Sequence, residues 1–166
     1  MHRILSLHHV TATVNDAQAD LDFYRGLLGL RLVKRTVNFD NHHVFHFYYG
    51  DERGTPGTLM TTFPYKGKGV AAGRKGAGQI TATAFSVPAD SLPDWRRCLA
   101  AAGVGVVEEG RRFGEEFIAC ADPSGLVIEL VATERDHRTP WTQSGIPAEL
   151  AGSWGGSGAD ARPIQP

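Results

Sequence analysis

The sequence predicts an α+β fold built of two βαβββ modules, and three observations carry that prediction. An alternating, β-branched segment leads directly into a segment of helical spacing and then into three more strand-like runs. The same order returns roughly 70 residues later, a period at which repeats signal architecture. Between the copies lies "KGKGVAAGRKGAG", where Gly and basic residues alternate without apolar periodicity.

Residues 7–14, "LHHVTATV", read as the first strand. Asn15 or Asp16 supplies an N-cap for a helix over 17–28, in which Ala17, Leu21, Tyr24 and Leu28 recur at helical spacing. Gly29 supplies its stop. Strands are expected over 31–38 and 42–49, joined through "FDN", and over 58–63. In the second copy a strand over 79–87 precedes a helix capped by Asp90 or Ser91 and stopped by Gly103. Strands over 104–108, 116–120 and 126–131 complete it. This divides the chain into a first module at 4–65, a Gly/Lys-rich linker at 66–78, a second module at 79–134 and a C-terminal extension at 135–166. The extension ends in "GSWGGSGADARPIQP", a composition expected to be partly disordered.

Composition bounds the function. A chain of 166 residues, 42% hydrophobic and 21% charged, is ordinary for a globular protein. Its net charge of −1 gives no electrostatic footing for nucleic acid or an anionic membrane as partner. No apolar run approaches the ~18 residues of a membrane span, and "MHRILSLHHV" does not read as a signal peptide. Two cysteines, Cys98 and Cys120, make no disulfide framework, so a cytoplasmic location is expected. The histidines are the chemical hint: His8, His9, His42, His43 and His46 all fall in the first third of the chain.

Alternation along 7–14 puts Leu7, His9, Thr11 and Thr13 on one face and His8, Val10, Ala12 and Val14 on the other. The Val/Ala/Val face belongs against the helix, so His9 and two threonines point to the concave, wetter side. In the second copy Glu129 shares its face with Val127 and Val131, where a carboxylate needs a cation or strong donors. Imidazole and carboxylate with open positions form the iron(II) arrangement of non-haem oxygenases once a second histidine joins them. The repeat, however, sets Ala82 where His9 stands, and Thr61 or Thr62 where Glu129 stands. Other readings stand beside this one. Glu129 can be structural, paired with an arginine such as Arg112. His42 and His46 can be a metal pair or simply a polar strand face. Arg111 and Arg112 can be solvated or can meet an anionic substrate. The Gly-rich linker is not a phosphate loop, since no strand enters it and no G-K-[ST] closes it. Cys98 reads as a core residue.

The opening "HHVT" and closing "DPSGLVIELV" strands of paired modules resemble the vicinal oxygen chelate superfamily of glyoxalases, extradiol dioxygenases and bleomycin-resistance proteins. More narrowly, "LHHVTATVNDAQADLDFYRGLLGLRLVKRTVNFD", "GTPGTLMTTFP", "RRFGEEF" and "RTPW…GIPAE" resemble the N-terminal half of hydroquinone-type ring-cleaving dioxygenases. The resemblance implies a curved mixed sheet around a cavity. It also implies that His9 is a metal ligand joined by a histidine and a glutamate of a second half, with His8 beside it. The expected function is a metal-dependent ring-cleaving dioxygenase of hydroquinone- or catechol-type aromatics, using weakly bound Fe(II) or Mn(II). His9 and Glu129 are the metal candidates, His8 and His46 the catalytic ones, and Thr11 and Arg112 the substrate-binding ones. Two alternatives remain. One is a glyoxalase-like isomerase or lyase in which Glu129 is both ligand and base. The other is a bleomycin-resistance-type protein that binds an aromatic compound without metal. Because those dioxygenases work with four modules, a homodimer is expected of a chain with two.

Overall fold

The computed structural model describes residues 7–71, 73–74, 76–136, 138, 141, 143–146 and 150. The first module runs β1 (His9–Val14), α1 (Ala17–Leu21), a π-helical turn (Asp22–Leu27), β2 (Arg31–Val37), β3 (Phe45–Gly50) and β4 (Leu59–Pro64). The second runs β5 (Ala82–Val87), α2 (Leu92–Ala101), β6 (Val106–Arg112), β7 (Glu115–Ala121) and β8 (Val127–Ala132). Each module makes a four-stranded mixed sheet, in the orders β1-β4-β3-β2 and β5-β8-β7-β6. The opening strand of each pairs parallel with the closing one, and the remaining pairs are antiparallel. The registers fix the repeat. His9 faces Leu59 as Ala82 faces Val127, and Thr11 faces Thr61 as Ala84 faces Glu129, so Thr61 rather than Thr62 is the counterpart of Glu129.

The first helix starts where the sequence places it, because the Asp16 carboxylate accepts from the Gln18 and Ala19 N–H groups at 2.9 and 3.0 Å. It then widens: the Leu28 N–H reaches back to the Phe23 carbonyl at 2.9 Å. Phe23, Tyr24 and Leu28 are all buried behind this turn. Gly29 ends it with φ +70°, a left-handed conformation. In the second module Ser91 precedes the helix, but its hydroxyl donates to the Pro88 carbonyl at 2.8 Å and caps no helical N–H.

The strand expected over 42–49 begins only at Phe45. Asparagines displace its start. Asn38 accepts the Asp40 N–H at 2.9 Å, Asn41 accepts the His43 N–H at 3.1 Å, and the Asn41 carbonyl takes the Val44 N–H at 3.0 Å. These bonds wind His42 and His43 into a turn. His42 therefore does not share a strand face with His46.

One apolar core serves both modules, joining Tyr24, Phe47, Tyr49 and Met60 to Phe85, Trp95, Ile118, Ile128 and Leu130. Polar bonds cross the same boundary. The Tyr24 hydroxyl donates to Asp122 at 3.0 Å, and the Asn15 N–H donates to Ser124 at 2.8 Å. Behind the first sheet, Asp20 Oδ2 accepts from the Tyr49 and Thr62 hydroxyls at 2.6 and 2.7 Å. Its Oδ1 is buried and finds no partner among the described residues. Burial pushes this carboxyl up to about 6, against the pull of its two hydroxyl donors.

After β8 the chain returns to the first module. The Trp141 ring lies 5.3 Å from the Arg31 guanidinium, the Ile146 side chain covers Gly29, and Leu150 is buried in the core. The stretch 151–166, expected to be partly disordered, lies outside the described residues.

Candidate functional site

The face opposite the helix is assembled strand by strand from alternation. Val10 and Val14 of β1 are buried, while His9, Thr11 and Thr13 are exposed. The Thr11 and Thr61 hydroxyls lie 2.8 Å apart, and Tyr48 of β3 pairs with Thr61 on the far side. His46, two residues before Tyr48, is only 8% exposed. Its ring sits 4.0 Å from that of Phe63 and 4.2 Å from that of Tyr48. The Tyr48 hydroxyl is 3.0 Å from its Nδ1, while its Nε2 is buried without a partner among the described residues. Burial, with His9 and Lys34 adding to it, holds the His46 pKa below the ordinary histidine value, so the ring is neutral at pH 7.

His8 and His9 meet each other. Their Nδ1 atoms are 3.0 Å apart and their rings stand edge to face at 5.2 Å. The His8 backbone is pinned, because its carbonyl accepts the Gly57 N–H at 2.7 Å. His9 also lines a crevice between modules, with Leu59 and Met60 on its own side and Thr83, Ala84 and Phe85 across from it. The crevice is shallow and open to solvent, enclosing only about 20 Å³, room for a water molecule rather than an aromatic ring.

Glu129 finds its counter-charge inside the second module. Arg112 Nη1 lies 3.1 and 3.4 Å from its two oxygens, with the guanidinium 4.3 Å over the Phe117 ring. Arg111 turns away and donates to the Gly114 carbonyl at 3.2 and 3.1 Å. The predicted residues thus fall into separate groups: His8 with His9, Thr11 with Thr61, His46 with Tyr48, and Arg112 with Glu129. Among the described residues, no three His, Cys, Asp or Glu side chains gather as a metal site. His9 suits a divalent metal as one neutral imidazole ligand, but the donor set in this chain stops short of a complete centre. Tyr48 was not singled out from sequence, and Thr61 entered only as a counterpart of Glu129, although the alternation that selects His46 and Thr11 also reaches them.

The family profile of the Glyoxalase/Bleomycin resistance protein/Dioxygenase superfamily matches residues 6–130. The protein named ring-cleaving dioxygenase MhqE in Bacillus subtilis is 44% identical over 140 residues, 84% of this chain and 45% of that protein. The chlorohydroquinone/hydroquinone 1,2-dioxygenase of Sphingobium indicum is 38% identical over 152 residues, 90% of this chain and 47% of that one. A crystal structure of a Bacillus subtilis protein described as a dioxygenase superposes with a TM-score of 0.82 at 39% identity, covering 93% of this chain and 48% of that one. The fosfomycin resistance protein FosX of Listeria monocytogenes, at 18% identity and a TM-score of 0.59, shares the fold. The chain spans about half the length of the dioxygenase relatives it matches. Paired βαβββ modules, a histidine on the open face of the first strand and these likenesses lead to one conclusion: the chain belongs to the Glyoxalase/Bleomycin resistance protein/Dioxygenase superfamily.

Proposed function

We propose that this chain supplies the His9-bearing pair of modules of a metal-dependent ring-cleaving dioxygenase acting on hydroquinone- or catechol-type aromatics. The observation that carries the reading is the open His9 face beside the crevice, in a chain 38% identical to a hydroquinone 1,2-dioxygenase. Dioxygenases of the superfamily generally use a divalent metal, here Fe(II) or Mn(II). When bound, such an ion lowers the pKa of a substrate phenol and holds its oxygens. His9 contributes one ligand. The exposed Thr11 hydroxyl, held by the fully buried Thr61, offers a hydrogen bond to a substrate hydroxyl. Neutral His46 holds the Tyr48 hydroxyl against the same face. Glu129 and Arg112 neutralise each other, so either serves metal or substrate only if their pair opens. The remaining ligands then come from a second pair of modules. A second copy of this chain is the simplest source, joined through an isologous interface. Free Cys98 and Cys120 suit a reducing cytoplasm, and among the described residues no helix is long and apolar enough to cross a membrane.

Oxygen uptake with hydroquinone in the presence of Fe(II) tests the activity. The wild type is expected to consume oxygen and His9→Ala to fall at least about 100-fold, as loss of a metal ligand implies. If the wild type binds no Fe(II), Mn(II) or Zn(II) at saturation, or His9→Ala binds it equally well, the metal reading fails. The crevice lining is largely apolar and, among the described residues, no three-ligand set gathers beside it, which favours metal-free binding of an aromatic compound as the second reading. Hydroquinone binding without oxygen uptake would establish that one. Light scattering at high protein concentration is expected to give the dimer mass, and a strictly monomeric mass would remove the second copy as the source of ligands.

A further inference from the structure

We propose that the outer edge of β6 is an interaction surface for a second copy of this chain, the two β6 strands pairing antiparallel about a two-fold axis at Gly110. β6 stands at one side of its sheet and, among the described residues, pairs only with β7. A strand edge left open in this way offers backbone N–H and C=O groups to an incoming strand. The hairpin turn decides which groups these are. Phe113 and Gly114 have φ of +53° and +86°, as a two-residue type I′ turn requires, so the closing Arg112 and Glu115 pair exchanges backbone bonds. Alternation then turns the N–H and C=O groups of Glu109 and Arg111 outward, away from β7.

The side chains along that edge are self-complementary. They run Glu108, Glu109, Gly110, Arg111, Arg112. Antiparallel pairing about Gly110 sets Glu109 opposite Arg111 of the second copy and Glu108 opposite its Arg112, each twice by symmetry. Glu108 and Glu109 already meet Arg112 at 3.8 Å and Arg96 at 2.9 Å, yet both carboxylates stay mostly exposed and open to a second guanidinium. Glycine suits the axis, because directly opposed residues of a non-hydrogen-bonded pair approach to about 4.5 Å. Moving the axis by one residue sets Glu109 against Glu109 or Arg111 against Arg111. A parallel, in-register pairing sets every charge beside its own kind. The charges therefore select one register. At each end Val107, 60% exposed, comes beside Phe113 of the second copy, 78% exposed. β2, the outer edge of the first sheet, carries Arg31, Lys34 and Arg35 with no acidic residue, so two copies repel there. The register shift at Val107 ends regular pairing at Glu108. The seam is short beside the ~1,000 Å² that stable interfaces clear, and the dimer it makes depends on concentration. This contact goes beyond the function proposed above: β6 lies at the opposite edge of its sheet from β5, which borders the His9 crevice, so the seam neither needs nor supplies a ligand at His9.

Sedimentation equilibrium over a concentration series tests the seam. The wild type is expected to dimerise. Glu109→Arg and Arg111→Glu each set like charges opposite one another, and each should raise the dimer Kd at least about tenfold. The double variant Glu109→Arg/Arg111→Glu should restore the dimer, and so should an equimolar mixture of the two single variants, with circular dichroism confirming that each is folded. In the wild type the Glu109 and Arg111 amides should exchange hydrogen more slowly in the dimer than in dilute monomer. A wild type that stays monomeric up to its solubility limit, single variants that dimerise as the wild type does, no recovery in either the double variant or the mixture, or a dimer whose Glu109 and Arg111 amides exchange freely would each overturn the proposal. A dimer untouched by the single variants would place the second copy elsewhere and leave the dioxygenase reading intact. Dimerisation that follows the charge swaps in a chain that binds no metal would uphold the seam and remove only that reading.

Discussion

Gly29→Ala is expected to destabilise the chain by about 2–3 kcal/mol and to lower Tm by roughly 5–10 °C. Two costs add. At φ +70° a Cβ crowds the following carbonyl oxygen, which costs ~1–2 kcal/mol. The same Cβ would overlap the tip of the half-buried Ile146 side chain, which can swing aside, and lie 3.0 Å from the Ser144 hydroxyl, and crowding of that kind costs about 1 kcal/mol more. Gly103 separates the two. It has φ +72°, but a Cβ there would meet nothing within 4 Å, so Gly103→Ala should carry the backbone cost alone. Thermal melts of both variants decide the matter. Equal drops would show that the returning chain does not press on Gly29.

Asp20→Asn should change the pH dependence of stability more than any other buried substitution. The folded carboxyl titrates at about 6, raised from 3.8 chiefly by burial. A raised carboxyl favours the folded state most when protonated, and that contribution disappears as pH climbs from about 4 through 6. A shift of about two units corresponds to about 3 kcal/mol, lost between acid and neutral pH. Asparagine mimics the neutral acid, because its oxygen can take the Tyr49 and Thr62 donors. Asp51 acts in the opposite sense. Its carboxyl is buried, yet the Thr55, Arg53 and Gly54 donors hold it below the usual value, so it loses stabilisation on acidification. Subtracting variant from wild type cancels that background. Urea unfolding at about pH 4.5, 6 and 7.5 should show the variant gaining on wild type as pH rises. A difference that stays constant over the range would mean that Asp20 does not change its charge there.

The order of elements and the facing of the first strand were readable because one side of that strand had an unambiguous claimant. Val10, Ala12 and Val14 belong to the helix side, which leaves His9 and Thr11 facing out. The repeat made Ala82 the counterpart of His9, and sheet pairing resolved the Thr61 or Thr62 ambiguity, which depends on a turn that no alternation fixes. The start of β3 was not readable. "NHHVFHFYY" alternates convincingly through His42, and only the side-chain bonds of Asn38 and Asn41 pull the chain into a turn there. The π-helical turn at Asp22–Leu27 was equally hidden, since Leu21, Tyr24 and Leu28 suit an ordinary helix too. At the site, sequence left Glu129 open between a metal and Arg112. The two lie on strands separated by β7, so their pairing depends on register across a whole sheet rather than on local spacing.

The return of the chain from β8 to the first module also bears on the order in which the protein matures. Ribosomal synthesis delivers the first four strands early, and they can pair as soon as β4 emerges to lie beside β1. Their cover arrives much later, because Ile146 and Leu150 reach Gly29 and the core only after the second module has been made. The nascent first module therefore waits with apolar surface uncovered. Its final packing is contemporaneous with that of the second, so the duplicated halves consolidate as one cooperative unit rather than in sequence.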